Sequence, residues 1–288
     1  MAKELNWNGT EIGAKASNVT YDNSGSGMDA KNVQQALDEL KREGGGGGGG
    51  GGSYAPFNGK RFAIVGDSFT AGGRWVGVMK NLLHLLETKN KAISGGTWNG
   101  DGSHTSLCAF YRLQLLYADY LADGTSPDYI IIVDGVNDFG NNAVLGDISY
   151  ATIDDITNTE ESALLAEISG KYDLSTFTGG AQAALAYIAA RFPGAIVKIG
   201  WTPAGQQYMF SRITSAKSWD GVNQYLDRLK ALATMYGVQY IDSINAGICP
   251  WVSSNLDKYS VSATDHHPSS DANDRIGEYM ARLMLSNL

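Results

Sequence analysis

Residues 64 to 73 read IVGDSFTAGG. An apolar run stops at Gly66-Asp67 and Ser68 follows at once in a turn of small residues. One reading is an ordinary strand exit, because Gly, Asp, Ser and Thr are common turn formers. The other makes Ser68 a nucleophile at the carboxyl end of a central strand, where open α/β sheets bind ligands. Acyl transfer without a cofactor needs a nucleophile, a base and donors aimed at the developing oxyanion. Ser68 does not sit in a G-x-S-x-G elbow, since Thr70 stands where the second glycine would be. Gly95, in NKAISGGTWNG, can let the backbone approach a ligand and offer its N–H. Asn137, in DGVNDFG, carries an amide that donates at any working pH. Each is also an ordinary loop residue when taken alone.

Histidine is the usual base near neutrality, and the chain has four. His84 lies in an amphipathic helical stretch and suits a surface role. His104, in the polar loop NGDGSHTS, could line a pocket. His266 and His267 fall in ATDHHPSSD, after the last strand and before the final helix.

The elements that must position these residues alternate. Apolar runs at 61–66, 91–94, 128–135, 195–201 and 238–244 read as buried strands. Helical stretches at 75–87, 106–122, 180–192 and 219–236 separate them, and a last one, from Asp274 on, closes the chain. Continuous Val/Ile-rich strands between helices imply a parallel sheet covered on both faces. Right-handed crossovers then bring all strand carboxyl ends to one rim. Ser68, Gly95, Gly135 and Thr202 follow such ends. The stretch from Gly140 to Thr178 is a long insertion, rich in Asp, Thr and Ser, of the kind that often forms a lid or binding loop. It contains a helical patch, NTEESALLAEISG. Trp98, Asn99, Phe139, Trp201 and Trp251 fall in or near strand-end loops. Their side chains either face a sugar-like substrate or pack in the core; Trp98, Asn99 and Phe139 are the expected substrate contacts.

Four motifs occur together: GDSF at 66–69, N-x-A-x-S-G-x-T at 90–97, GVND at 135–138 and His267-Pro268. In this order they resemble the SGNH (GDSL-type) hydrolases over roughly residues 60 to 285. The resemblance implies an α/β, flavodoxin-like three-layer α/β/α fold with a central parallel sheet. It implies a serine esterase that needs no cofactor or metal, acting on acylated sugars or lipids. By matching positions, Ser68 is the nucleophile and His267 the base. The Ser68 and Gly95 amides and the Asn137 side chain form the oxyanion hole. One departure stands out: the family's acid lies three residues before the histidine, and that slot holds Thr264. Asp265 is two before. In an extended loop, residues two apart share a side and Asp265 supports His267. In a helical turn, Thr264 faces His267 instead. Asp265 is the expected orienting acid, with a Ser-His dyad or another acceptor as the alternative.

Nine consecutive glycines, 44 to 52, precede Ser53 and divide the chain. As free coil the run spans on the order of 15–18 Å. The expected organisation is a stem, 1–43, a polyglycine linker, 44–53, and a hydrolase domain, 54–288. Within the stem, Asp29 can cap a short helix. Val33, Leu37 and Leu40 lie at i, i+4 and i+7 on one face, too narrow to be stable alone. That face calls for copies of itself; the alternative is a frayed helix in a disordered arm. The words ASNVTYDNSGSGMDAKNVQQALDEL resemble a recurring segment of bacteriophage tail fibres. That resemblance implies a homotrimer attached to a virion tail, with other tail proteins as partners.

Composition narrows the rest. Of 288 residues 43% are hydrophobic, and the net charge is −8. The chain lacks the basic excess of a nucleic-acid binder. No apolar run reaches the roughly 18 residues of a membrane span, and the amino terminus lacks the apolar core of a secretion signal. Cys108 and Cys249 are too few and too far apart for a disulfide framework or zinc site. The leading expectation is an esterase on a phage-tail stem that deacetylates a cell-surface glycan. Two alternatives stay open: a catalytically silent glycan-binding module of the same fold, favoured by Thr264, and a lipid esterase.

Overall fold

The computed structural model describes residues 56–100, 105–151, 156–205, 218–246, 258–262, 265 and 267–286. The stem and polyglycine linker, His104, Trp251, Thr264 and His266 lie outside them. All described residues belong to the unit Pro56–Leu288.

Five strands form one parallel sheet: β1 (Arg61–Gly66), β2 (Glu87–Asn90), β3 (Tyr129–Val133), β4 (Ile196–Gly200) and β5 (Gln239–Ile241), in the order β2-β1-β3-β4-β5. Eight helices accompany them among the described residues. They are α1 (Ser68–Ala71), α2 (Arg74–Leu83), α3 (Ala109–Ala122), α4 (Val136–Gly140), α5 (Glu161–Lys171), α6 (Phe177–Arg191), α7 (Trp219–Tyr236) and α8 (Ser270–Ser286).

The period-2 alternation of strand side chains divides the core into two layers. Ala63, Val65, Ile130, Ile132 and Ile199 face α3, α6 and α7. Phe62, Ile64, Tyr129, Ile131 and Val133 face α2 and α8, where Trp75, Met79, Ile276 and Met280 are fully buried. This is the expected three-layer α/β/α architecture. Helix α6 is buried all round from Phe177 to Ile188, because it lies between the sheet and its helical neighbours. Its start is capped by Thr176, whose hydroxyl accepts from the Gly179 amide at 3.0 Å. Helix α7 begins at the Ser218 cap and ends at left-handed Gly237, a pairing that stops a helix cleanly.

Register creates the rim. Gly66 pairs with Val133, Val133 with Gly200, and Gly200 with Ile241. Four strands therefore finish in one row, and the turns leaving them are neighbours.

Two expectations need correction. The second strand is not 91–94 but Glu87–Asn90. It is the edge strand, only half-buried along its length, so its residues ETKN carry no apolar run. The ladder does continue past it, through Lys91 N–H to Ile64 O and Ile93 N–H to Gly66 O. The insertion 140–178 is not a free lid in its described parts. Leu145, Ile148 and Ile156 pack on the core, and α5 buries Leu164 and Ile168. The amides of Phe177 and Thr178 donate to Val144 and Leu145, and Gln182 clasps the backbone of Ser149 from both sides.

Candidate active site

The turn that carries Ser68 is held by a buried carboxylate. Asp67 caps α1, its Oδ1 accepting from the Phe69 amide at 3.0 Å. Thr202, just past β4, donates its hydroxyl to Asp67 Oδ2 and accepts from the Val136 amide at 3.3 Å. One threonine thereby ties the Ser68 turn to the turn before Asn137. Burial pushes the Asp67 carboxyl well above the usual carboxylate range, and neighbouring Asp134 pushes the same way.

His267 reaches that turn from the far end of the chain. Its Nε2 lies 2.8 Å from Ser68 Oγ, and its Nδ1 lies 2.5 Å from Asp265 Oδ1. An ionised carboxylate only accepts, so Nδ1 carries the hydrogen and Nε2 presents its lone pair to the serine. Asp265 Oδ1 also accepts from the His267 amide at 3.1 Å. A small clip shapes this loop: Ser260 bridges Pro268, the Val261 amide donates to His267 O, and the Ser262 hydroxyl accepts from the Asp265 amide. The contact pairs His267 with the acid two residues before it, and the carboxylate also holds the backbone two residues on, as an Asx turn does. The imidazole ring lies against Phe69, centroids 5.2 Å apart. The side chains of His267 and Asp265 are 40% and 47% exposed, so solvent and substrate can reach them.

The candidate oxyanion donors lie on loops that meet at the Ser68 turn, since Gly96 packs against Gly66 O and Asp67 Cα and accepts from Asn137. Among the described residues, no acceptor occupies the N–H of Ser68 or of Gly95. Gly95 has φ 80°, in the left-handed region that favours glycine. Asn137 gives one of its two amide hydrogens to Gly96 O at 2.8 Å, which fixes the group and leaves the other N–H to point elsewhere. Its neighbour Asp138 accepts from the Trp98 and Asn99 amides at 3.1 Å. The GVND turn therefore grips the Gly95 loop twice.

The expected substrate contacts fare differently. Trp98 is fully buried and donates its indole N–H to Asp134 O. Asn99 is 9% exposed, its amide spent on Ser175 O at 3.3 Å. Phe139 is 5% exposed and packs edge-on against Tyr225, centroids 6.2 Å apart. Trp201 is fully buried as well. A strand-end position does not say which way a side chain points, and these point inward. They pack the site's floor and offer no face to a substrate. His84 ends α2 on the surface at φ 53°.

Burial raises the Asp138 carboxyl to about 8, against the lowering pull of the Trp98 and Asn99 amides. Its folded value lies above the ordinary unfolded one, so the folded state binds the extra proton between pH 4 and 8. Stability from this group is present at low pH and is lost as pH rises, by at most about 1.4 kcal/mol per pH unit. In Asp138→Asn that slope is gone. The stability difference between wild type and Asp138→Asn, measured by urea unfolding, should shrink from pH 5 to 8 and level above. A difference that stays flat across this window would contradict the assignment.

A parallel three-layer sheet with a serine–histidine pair on its carboxyl rim defines an acyl hydrolase of the α/β class. The chain belongs to the GDSL-like Lipase/Acylhydrolase family, which it matches over residues 64–275. Among solved structures, a protein from Lactobacillus plantarum is similar at 20% identity and a TM-score of 0.60, covering 80% of this chain and 99% of its own. A GDSL-like lipase from Bacteroides thetaiotaomicron VPI-5482 is similar at 16% identity and a TM-score of 0.43, covering 79% of this chain and 87% of its own. No curated protein matches.

Proposed function

We propose that the domain is a serine esterase of the SGNH type that removes O-acetyl or other short acyl groups from a cell-surface polysaccharide. The observation that carries the esterase reading is the chain of contacts Asp265–His267–Ser68, with the Ser68 and Gly95 amides bonded to no acceptor among the described residues. Ser68 Oγ attacks the ester carbonyl while Nε2 takes its proton. Asp265 holds the Nδ1–H tautomer and offsets the imidazolium charge. The Ser68 and Gly95 amides and Asn137 Nδ2 stabilise the oxyanion. His267 then protonates the leaving alcohol, and water repeats the sequence on the acyl-serine. The Asp265–His267 contact supports catalysis over a silent glycan-binding module.

The glycan part rests on the tail-fibre-like words of the stem and on the acidic charge. The buried aromatics lend it no support. In this reading residues 1–43 form a stem, 44–53 a linker and 54–288 the hydrolase, and the protein is a homotrimer assembled with other virion tail proteins after synthesis in the host cytoplasm. Acetate release from a panel of acetylated glycans, alongside a series of p-nitrophenyl esters of rising chain length, tests it. Acetate from a glycan and preference for the shortest ester is the expected result; preference for long acyl chains would favour a lipid esterase instead.

Light scattering on the full chain should give a mass near three protomers. Replacing Leu37 with Asp places a charge in the Val33/Leu37/Leu40 stripe and should yield a monomer with unchanged esterase activity. A wild-type chain that already runs as a monomer contradicts the stem reading.

A further inference from the structure

Arg112 lies in α3, outside every motif so far assigned, and is 1% exposed. Its guanidinium reaches three different strand-end loops. Nη1 donates to Gly66 O at 2.5 Å, two residues before Ser68. Nη2 donates to Thr97 O at 3.0 Å, two residues after Gly95. The same Nη2 pairs with Asp134 Oδ2 at 2.7 Å, three residues before Asn137. Nε donates to Cys108 O at 3.3 Å, at the start of its own helix. Each candidate oxyanion donor therefore stands two or three residues from an Arg112 contact.

Gly96 shows how tightly the loops close on this group. A Cβ there would lie 2.9 Å from Arg112 Nη1, 2.9 Å from Gly66 O and 3.1 Å from Asp67 Cα. Only a residue without a side chain lets the Gly95 loop press against both the guanidinium and the Ser68 turn. The carbonyl of Gly96 also takes the Asn137 amide. Asp134 is fully buried, and its other oxygen, Oδ1, has no hydrogen-bond partner among the described residues. Among the described residues its carboxylate pairs with Arg112 only, so the two cannot separate without a large desolvation cost.

We infer that Arg112 is a positioning residue, which sets the mutual spacing of the Ser68, Gly95 and Asn137 donors by clamping their three loops to one rigid fork. The inference rests on the esterase reading above. The planar guanidinium is suited to this because its donors keep fixed directions. Lysine has one nitrogen and cannot reproduce three divergent contacts. The donors would then be displaced from the oxyanion, and a misplacement of about 1 Å costs about 10²-fold in rate.

The test compares wild type, Arg112→Lys and Ser68→Ala on p-nitrophenyl acetate. Competent sites are counted by long incubation with a fluorophosphonate. For Arg112→Lys, kcat per competent site should fall about 10²-fold while KM shifts by less than about threefold. A purely structural role would lower only the number of competent sites, and that outcome overturns the inference, as does an unchanged kcat per site. Should Arg112→Lys not fold, Arg112→Met combined with Asp134→Leu removes the charge with its partner and replaces a buried pair by apolar groups, a change that is often tolerated. The same kcat criterion applies to it. Ser68→Ala separates the two levels. Activity surviving there sinks the esterase reading and this inference with it; activity lost there, with Arg112→Lys unimpaired, sinks the clamp alone.

Discussion

Ser68→Ala is expected to abolish ester hydrolysis, lowering kcat by about 10⁵-fold or more, while the fold stays intact. Oγ is the atom that His267 Nε2 faces at 2.8 Å, and no other hydroxyl contacts Nε2 among the described residues. Loss of Oγ removes the acyl-enzyme route entirely and leaves only the oxyanion donors and binding, which give weak residual catalysis over water. The stability change is expected to be small. Ser68 is half-buried, and its turn is held by Asp67 and Thr202, which the substitution leaves untouched. Steady-state kinetics with p-nitrophenyl acetate and a thermal melt check both halves. A tenth of wild-type activity remaining would remove Ser68 from the nucleophile role.

The second large effect concerns the acid. His267→Ala should be as severe as loss of the serine, because the two act as a unit. Asp265→Asn should cost about 10²–10⁴-fold in kcat. The amide can present its own N–H to Nδ1, which favours the wrong tautomer and leaves the imidazolium charge uncompensated. Half-exposure of Asp265 places its effect toward the lower end, since solvent screens part of the charge. Thr264→Ala and His266→Ala should both be mild. The ranking of these four variants is the observable. Severe loss in Thr264→Ala with a mild Asp265→Asn would return the acid's role to the position three before the histidine. Severe loss in His266→Ala with a mild His267→Ala would mean that the wrong histidine was identified as the base.

The sheet was legible where its strands are central. RFAIVG, YIIIV and IVKIG each have a strand on both sides and are buried except at Arg61, Ile196 and Val197, so their apolar character is visible. The edge strand ETKN is half-solvated and polar, and nothing in its composition marks it. The apolar Ala92 and Ile93 beside it drew the boundary four residues too late. The meeting of Ser68 with His267 and of the Gly95 loop with Asn137 was legible because each residue follows a strand or precedes a helix in a short word. Asp265 needed geometry: spacing alone leaves its approach to His267 open, and the contact with Nδ1 appears only in the fold. The direction of a side chain at a strand end was not legible at all, and Trp98, Asn99 and Phe139 turn inward.

Arg112 and Asp134 were missed for a different reason, while Thr202 was placed on the rim without its bond to Asp67. Arg112 sits in a helix that reads as amphipathic, where a charge is normally solvated. A signal existed in Asp134, an acid ending the apolar run DYIIIVDG. A carboxylate there is buried and requires a donor, and Arg112 is the only basic residue in SLCAFYRLQLLYADYLA.

The most direct test of the central claim is to trap the nucleophile. The full chain is treated with a fluorophosphonate, digested, and the modified peptide sequenced by mass spectrometry. One phosphonyl group should appear per chain, on Ser68, with matching loss of esterase activity. Labelling should be absent in Ser68→Ala and slowed by orders of magnitude in His267→Ala. A label on another residue, or full inactivation with Ser68 unmodified, would contradict the account.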